Sequence, residues 1–287
     1  MTDLIALGRI ALLALLFGCA FAGHAHAGQA PDPELTLQIR DQKIVFKRSE
    51  LMKRSDVEAL SIANDVAYPG RTMSYKAVRA SALFDGLKIA DDDVIQFRSL
   101  DGFAAPISKE RLLSKVSGGS IAYVAIEEAD KPWPPLASGG GTAGPFYLVW
   151  LKPEASFIGP EEWPYQLTAF EVKGTLESLY PEIFPDARLK PTSPVRQGFS
   201  VFKKNCFACH TLNKAGAGEI GPDLNMPMNP TEYLRKAALR KLVRDPQSLR
   251  HFPRSRMSAF PKEVLSEREL DHLIAYLEHM AKRKVRK

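Results

Sequence analysis

The stretch Cys206-Phe207-Ala208-Cys209-His210 decides how the C-terminal third of this 287-residue chain is interpreted. Two cysteines separated by two residues and followed directly by a histidine have the spacing at which c-type haem is attached. The thiols add across the vinyl groups of the haem, and the adjacent histidine is placed beneath the iron. The motif therefore predicts one haem c, bound covalently by Cys206 and Cys209 and ligated by His210.

The sequence around this motif has the hydrophobic period of helices. Ser193-Pro194 is typical of a helix start, and the helix it opens is expected to carry the motif. A second helix is predicted over 233–244. The pair Ser266 and Glu269 has the spacing of a capping box and predicts the start of a third helix. An all-α domain is therefore expected over 195–287.

Two segments after the motif support this interpretation. Gly221-Pro222-Asp223-Leu224 begins eleven residues past His210, and Arg256-Met257-Ser258-Ala259-Phe260 follows later in the chain. Together with the motif, these segments resemble the class I cytochrome c family from Val195 to Tyr276. The resemblance implies a closed helical domain whose haem cycles between Fe(III) and Fe(II).

The same resemblance implies roles for particular residues. The carbonyl group of Pro222 is expected to accept a hydrogen bond from the free ring nitrogen of His210, which fixes the ring and its basicity. Met257 is the expected sixth iron ligand, because a thioether favours Fe(II) in an electron carrier. The first and last helices are expected to cross closely at Gly198 and Tyr276. Alternatives for the sixth ligand are His251, Met226, Met228 and Met280.

The N-terminal part of the chain has a different pattern. Short β-branched and aromatic runs predict strands, and polar starts predict short helices, so an α+β domain is expected over 28–180. Four prolines within 181–194 predict an extended linker between the two domains. Strands are predicted near 35–39, 43–46, 94–97, 121–126 and 146–151, and helices over 49–60, 78–87 and 108–113.

Three segments of this domain, 75–87, 94–103 and 143–150, resemble the molybdopterin-binding domain of the sulfite oxidase family. That family binds molybdenum through a cysteine thiolate, and the only cysteines expected in the mature chain are Cys206 and Cys209. Phe146-Tyr147 also stands where the family tends to carry an arginine. The domain is therefore expected to keep the fold without molybdopterin, in line with function residing in sites rather than folds.

The first residues have the pattern of an export signal. Arg9 precedes the apolar run 10–22, and Ala25-His26-Ala27 is a small-x-small cleavage site, so a signal peptide is predicted over 1–27 and the mature protein is expected in the periplasm. The run is too short to span a bilayer as a helix, so no transmembrane anchor is expected after cleavage. Lipid attachment at Cys19 is the minor alternative.

Composition and charge limit the classes of function that this chain can have. The chain is 45% hydrophobic and 25% charged, which excludes a disordered or multi-span membrane protein. Residues 192–287 hold 19 Lys and Arg against 9 Asp and Glu, a net charge of +10, whereas residues 1–191 carry −4. Export makes nucleic acid an unsuitable partner. A redox protein with an acidic surface is expected instead, docking near Lys203, Lys204 and Lys214.

These observations predict a periplasmic monohaem cytochrome that transfers one electron at a time, with an N-terminal docking domain. The alternative is an enzyme resembling sulfite dehydrogenase, in which a molybdopterin passes electrons to the fused haem. A haem sensor is a third class, and it would require a ligand that displaces Met257.

Overall fold

Nine strands form two sheets in the N-terminal part of the computed structural model, which describes residues 31–137, 139–251 and 255–286. The predicted signal peptide, with Cys19, lies outside the described residues. The strands are β1 Glu34–Ile39, β2 Gln42–Lys47, β3 Glu58–Ile62, β4 Met73–Arg79, β5 Asp93–Ser99, β6 Ala104–Ser108, β7 Ile121–Ile126, β8 Phe146–Leu151 and β9 Leu167–Thr175.

The two sheets differ in their pairing. The five-stranded sheet has the order β2-β1-β9-β5-β6; β1 and β9 run parallel, and the other neighbours are antiparallel. The four-stranded sheet has the order β3-β4-β7-β8 and is antiparallel throughout. Strands β7 and β8 are almost continuously buried, which matches their unbroken apolar sequences. The predicted mixed-sheet region is confirmed at this level.

Several local predictions for this region are wrong. The helix expected over 49–60 is only α1, Arg48–Leu51, and strand β3 follows because Leu60 and Ile62 are buried in alternation and pair with β4. The helix expected over 78–87 is only α2, Ala80–Leu83, since Val78 still belongs to β4. Strands β3, β4, β6 and β9 were not predicted.

Two further short helices, α3 Lys109–Leu112 and α4 Leu176–Leu179, directly follow β6 and β9. The C-terminal part contains the helices α5 Pro194–Asn205, α6 Pro230–Tyr233, α7 Lys236–Arg244 and α8 Glu267–Ala281. The predicted helix over 233–244 is divided, because Leu234 and Arg235 adopt extended backbone between α6 and α7. The predicted caps are present: Ser193 accepts from the Arg196 N–H at the start of α5, and Ser266 with Glu269 forms the capping box of α8.

Helices α5 and α8 pack directly on each other at a glycine. A Cβ atom on Gly198 would overlap the carbonyl group of His272 and would lie 2.7 Å from the Cβ of Tyr276. The ring of Phe202 packs on that of Tyr276 with centroids 5.3 Å apart. The glycine therefore allows the two backbones to approach closely, as the cytochrome c resemblance implies.

Two hydrophobic cores lie within one compact unit that begins at Asp32. One core joins the sheets, and the other joins α5, α7 and α8. The proline-rich segment 181–194 contributes to the second core, because Ile183 is fully buried and its carbonyl group accepts from the Tyr276 hydroxyl at 2.7 Å. Among the described residues, no helix has the length and hydrophobicity needed to cross a membrane.

Candidate functional site

The two cysteines and the histidine of the motif lie in a tight turn directly after α5. The N–H of Cys206 donates to the Phe202 carbonyl group at 2.9 Å, and the N–H of His210 donates to the Cys206 carbonyl group at 2.9 Å. The motif was predicted on the helix itself, but α5 ends at Asn205. The turn places both thiols, which form no disulfide, within one bend of the backbone.

Burial determines the protonation of these thiols. Desolvation raises the pKa of Cys209 to about 12, and it raises that of Cys206 further. The neighbouring Glu161 carboxylate acts in the same direction. A dithiol that exchanges disulfides needs a lowered thiol pKa, provided by a cation or a helix N-terminus. Burial at this turn raises the pKa instead, which favours the protonated thiols.

The His210 ring is held by the loop that follows it. Its Nδ1 atom lies 2.7 Å from the carbonyl oxygen of Pro222, which can only accept, so Nδ1 carries the hydrogen and Nε2 is left with a lone pair. The N–H of Gly221 donates to the Cys209 carbonyl group at 2.8 Å. A Cβ on Gly221 would lie within 2.5 Å of Nδ1, so a larger residue would displace the ring. Burial lowers the pKa of His210, which favours the neutral, ligating form.

Asp223 organises the same loop. Its carboxylate accepts from the backbone N–H groups of Lys214 at 2.6 Å and of Asn225 and Met226 at 2.7 Å each. It also accepts from the Thr211 hydroxyl at 2.9 Å. Burial alone would raise the pKa of Asp223, but these donors lower it on balance. The loop is therefore fixed to the residues that immediately follow His210.

A buried row of asparagines then connects this loop to α8. The amide of Asn225 donates to the Asn213 side chain at 2.7 Å and to the Met280 carbonyl group at 2.8 Å. Asn229 donates to the Leu277 carbonyl group at 3.1 Å. Sequence reasoning missed this network, because asparagines near prolines are typical of ordinary turns.

The candidates for a sixth ligand have different surroundings. Met257 is half-buried and packs against the helical core, whereas Met280 is 1% exposed inside that core. Met228 is 52% exposed, and His251 is also exposed. Met226 is partly buried in the Asp223 loop, with its N–H bonded to the carboxylate.

The three lysines expected at a docking surface are not equivalent. The Lys203 ammonium lies 4.7 Å from the centre of the Phe199 ring, and burial lowers its pKa. Lys204 is exposed, and its side chain lies against Gly159 of the N-terminal region. Lys214 is exposed in a left-handed turn with φ +64°.

An element of the sheet region also reaches the motif, and sequence reasoning did not predict this contact. The turn between β5 and β6, residues 100–103, is followed by Ala104, whose N–H donates to the Ala208 carbonyl group at 3.3 Å. The carbonyl group of Gly102 accepts from the Glu219 N–H at 3.2 Å. The Asp101-Gly102 pair signals a turn, but nothing local in it indicates which distant segment the turn contacts.

The donor set of this site fits haem c. Two thiols in one turn and a histidine with Nδ1 already bonded and Nε2 free are groups that such a haem requires. In the part of the chain that the structure describes, no cluster of three or more His, Cys, Asp and Glu side chains could hold a metal ion by itself.

Comparison with known proteins gives two matches. Residues 193–277 match the family model described as "Cytochrome C oxidase, cbb3-type, subunit III". The chain is also similar to "Cytochrome c2" of Agrobacterium tumefaciens (strain II Chrys), with 31% identity over 99 residues, which cover 29% of this chain and 88% of that relative. The family-model match begins at the cap of α5 and ends within α8.

Proposed function

Because the chain belongs to the cytochrome c family through its C-terminal region, we propose that it is a periplasmic monohaem cytochrome that transfers single electrons. A cytochrome c domain implies haem c and the role of an electron carrier. We propose further that Cys206 and Cys209 bind one haem covalently and that His210 and Met257 ligate its iron.

One observation carries it: the hydrogen bond between His210 Nδ1 and the Pro222 carbonyl group, directly beside two free thiols. This bond orients the ring and raises the basicity of Nε2, so that the ring is prepared to ligate a metal. When bound, haem c supplies an iron that accepts and returns one electron. Met257 would supply a thioether as the sixth iron ligand, and the packed aromatic side chains of α5 and α8 would exclude water.

We assign the N-terminal region a docking role and propose that it has a sulfite-oxidase-like fold without molybdopterin. In the described chain, the only thiols are those of the motif. Tyr147, in the segment where that family tends to carry arginine, is fully buried and donates to the buried Asp65 at 3.1 Å. Elemental analysis of protein made in a cell that synthesises both cofactors is expected to find iron alone. Stoichiometric molybdenum would favour the enzyme instead.

The periplasmic location rests on the sequence of residues 1–27. A basic residue, an apolar run of 13 residues and a small-x-small site are the features that a signal peptidase recognises. N-terminal sequencing of the protein from a periplasmic extract is expected to begin at Gly28. A chain that keeps Met1, or that begins at Cys19, would contradict this location or replace it with a lipid anchor.

The attachment is tested by replacing both thiols. The double variant Cys206→Ala with Cys209→Ala is expected to lose all haem that resists acid–acetone extraction, whereas each single variant keeps one thioether bond. The N-terminal sheets should retain their circular dichroism, because their core is formed by residues of the N-terminal region and by Ala208, and Cys209 only packs against it. Resistant haem in the double variant would refute the attachment.

A further inference from the structure

The turn between β5 and β6, residues 100–103, and Ala104 directly after it contact the helical region at three separate places. Beside the bonds to Ala208 and Glu219, Asp101 forms an ion pair with Arg256. Ala208 lies between the two thiols, Glu219 precedes the Pro222 loop, and Arg256 directly precedes Met257. These residues of the N-terminal region therefore touch the attachment turn and two of the loops that follow it in the sequence.

Both the carboxylate and the backbone carbonyl group of Asp101 bind the Arg256 guanidinium group. Arg256 Nη2 lies 2.5 Å from Asp101 Oδ2, and Nη1 donates to the Asp101 carbonyl oxygen at 3.2 Å. The other carboxylate oxygen accepts from the Phe103 N–H at 3.0 Å, so the turn itself holds the carboxylate in place. The Asp101 side chain is 17% exposed and that of Arg256 is 50% exposed. The Asp101 carboxylate is therefore held by its own turn, and the partly exposed Arg256 side chain pairs with it.

The Met257 segment, residues 255–260, packs on the helical core through Met257 and Phe260 and is hydrogen-bonded near both of its ends. It contains no helix or strand. Its far end is tied to α7, because the Phe260 N–H donates to the Val243 carbonyl group at 3.2 Å and Arg244 donates to the Phe260 carbonyl group at 2.8 Å. Its near end is tied by Arg256 to Asp101. Segments without repeating backbone hydrogen bonds open at low free energy, so each tie matters.

We propose that Asp101 of the N-terminal region is a positioning residue for Met257, which it holds in its ligating position through Arg256. This inference rests on the proposed function. The two ties bracket the methionine, so a movement that withdraws the thioether from iron must also strain or break the ion pair. The pair therefore stabilises the ligated form over the detached form. The N-terminal region then has a second role, to secure the ligand set of the helical region.

The test is a competition between Met257 and added imidazole at the oxidised iron. Imidazole displaces the thioether, and its binding removes the weak red absorption of the iron–thioether bond. Because the Arg256 side chain is half exposed, the loss of the ion pair in Asp101→Asn should weaken the ligated form about threefold. The apparent Kd for imidazole should therefore fall about threefold, and the reduction potential should also fall. Asp101→Asn keeps an oxygen that can accept from Phe103, so the turn itself is preserved.

Matched variants separate positioning from general stability. Asp91→Asn removes the same charge from an exposed pair with Lys109, elsewhere in the N-terminal region, and should leave imidazole binding unchanged. Arg256→Gln should reproduce the effect of Asp101→Asn, and the double variant should add little to either. Arg256→Lys should restore part of the wild-type affinity.

The imidazole titrations test the role of Asp101 separately from the binding of haem. Wild-type protein that carries haem and shows the red band, together with an unchanged imidazole Kd in Asp101→Asn and Arg256→Gln, would overturn the inference and leave the electron carrier intact. Equal effects of Asp101→Asn and Asp91→Asn would overturn it too. Wild-type protein with no haem would refute both proposals.

Discussion

Replacing Gly198 by alanine should destabilise the helical region by separating α5 from α8. The new Cβ would lie 2.7 Å from the Cβ of Tyr276 and closer still to the His272 carbonyl group. Ordinary contact between carbon atoms is ~3.5–4.0 Å, so the helices must part by about 1 Å. Backbone cannot rotate away as a side chain can, and overpacking of this kind costs about 3 kcal/mol.

Two smaller effects oppose each other. Parting the helices loosens the ring contact of Phe202 with Tyr276, at a cost of about 1 kcal/mol. Alanine regains about 1 kcal/mol of helix propensity relative to glycine. The net loss is therefore about 3 kcal/mol, which lowers the urea midpoint by about 1.5 M if the slope is about 2 kcal/mol per molar.

The assay is urea unfolding followed by helical circular dichroism. The matched control is Ser200→Ala on the exposed side of the same helix, which should change the free energy of unfolding by less than about 0.5 kcal/mol. Helix propensity alone predicts that Gly198→Ala raises the free energy of unfolding. A variant as stable as the wild type, or more stable, would refute the close crossing.

Three further predictions concern the site and its surroundings. Met257→Ala should abolish the red iron–thioether absorption and lower the reduction potential; an unchanged spectrum would move the sixth ligand to His251 or another methionine. Electron transfer to an acidic acceptor should slow steeply as the salt concentration rises, because salt screens the electrostatic steering between the two proteins. Reversing the charge of Lys204 should lower the association rate more than reversing that of Lys203, whose ammonium lies over the Phe199 ring. A rate that does not change across a salt series in stopped flow would refute electrostatic steering. The lowered pKa of Asp223 stabilises the fold at pH values above the ordinary aspartate pKa, and this contribution is lost as the pH falls through the pKa of the folded state. The free energy of unfolding of Asp223→Asn should therefore decrease less steeply on acidification than that of the wild type. The same pH dependence in both proteins would contradict this prediction.

Local features were predicted well because their physics is local. The cap Ser193 and the capping box of Ser266 and Glu269 satisfy N–H groups within three residues, so a short stretch of sequence is enough to find them. Strands 121–126 and 146–151 were predicted with their observed bounds, since an unbroken apolar run rich in β-branched and aromatic residues favours a buried strand. The Cys206–His210 motif is equally local, since it consists of five consecutive residues; its attachment of haem remains a prediction.

Predictions failed where a segment's structure depends on a distant partner. Strand β9 lies between β1 and β5, but its sequence alone did not reveal it. The segment 181–194 has the composition of a spacer, yet Ile183 is buried and bonded to Tyr276, 93 residues away. Composition describes what a segment can do in isolation, whereas burial is decided by what folds against it.

The sequence by itself determined the five-residue motif on which the haem proposal rests, the helical C-terminal region and the charge asymmetry. These follow from residue types, their spacing and their number. Only the tertiary structure decided that Asp101 pairs with Arg256 across 155 positions, and that Ala104 reaches the carbonyl group between the two thiols. An aspartate in a turn and an arginine in a loop are each ordinary surface residues. Their pairing follows from the packing of two cores, and no local pattern encodes it.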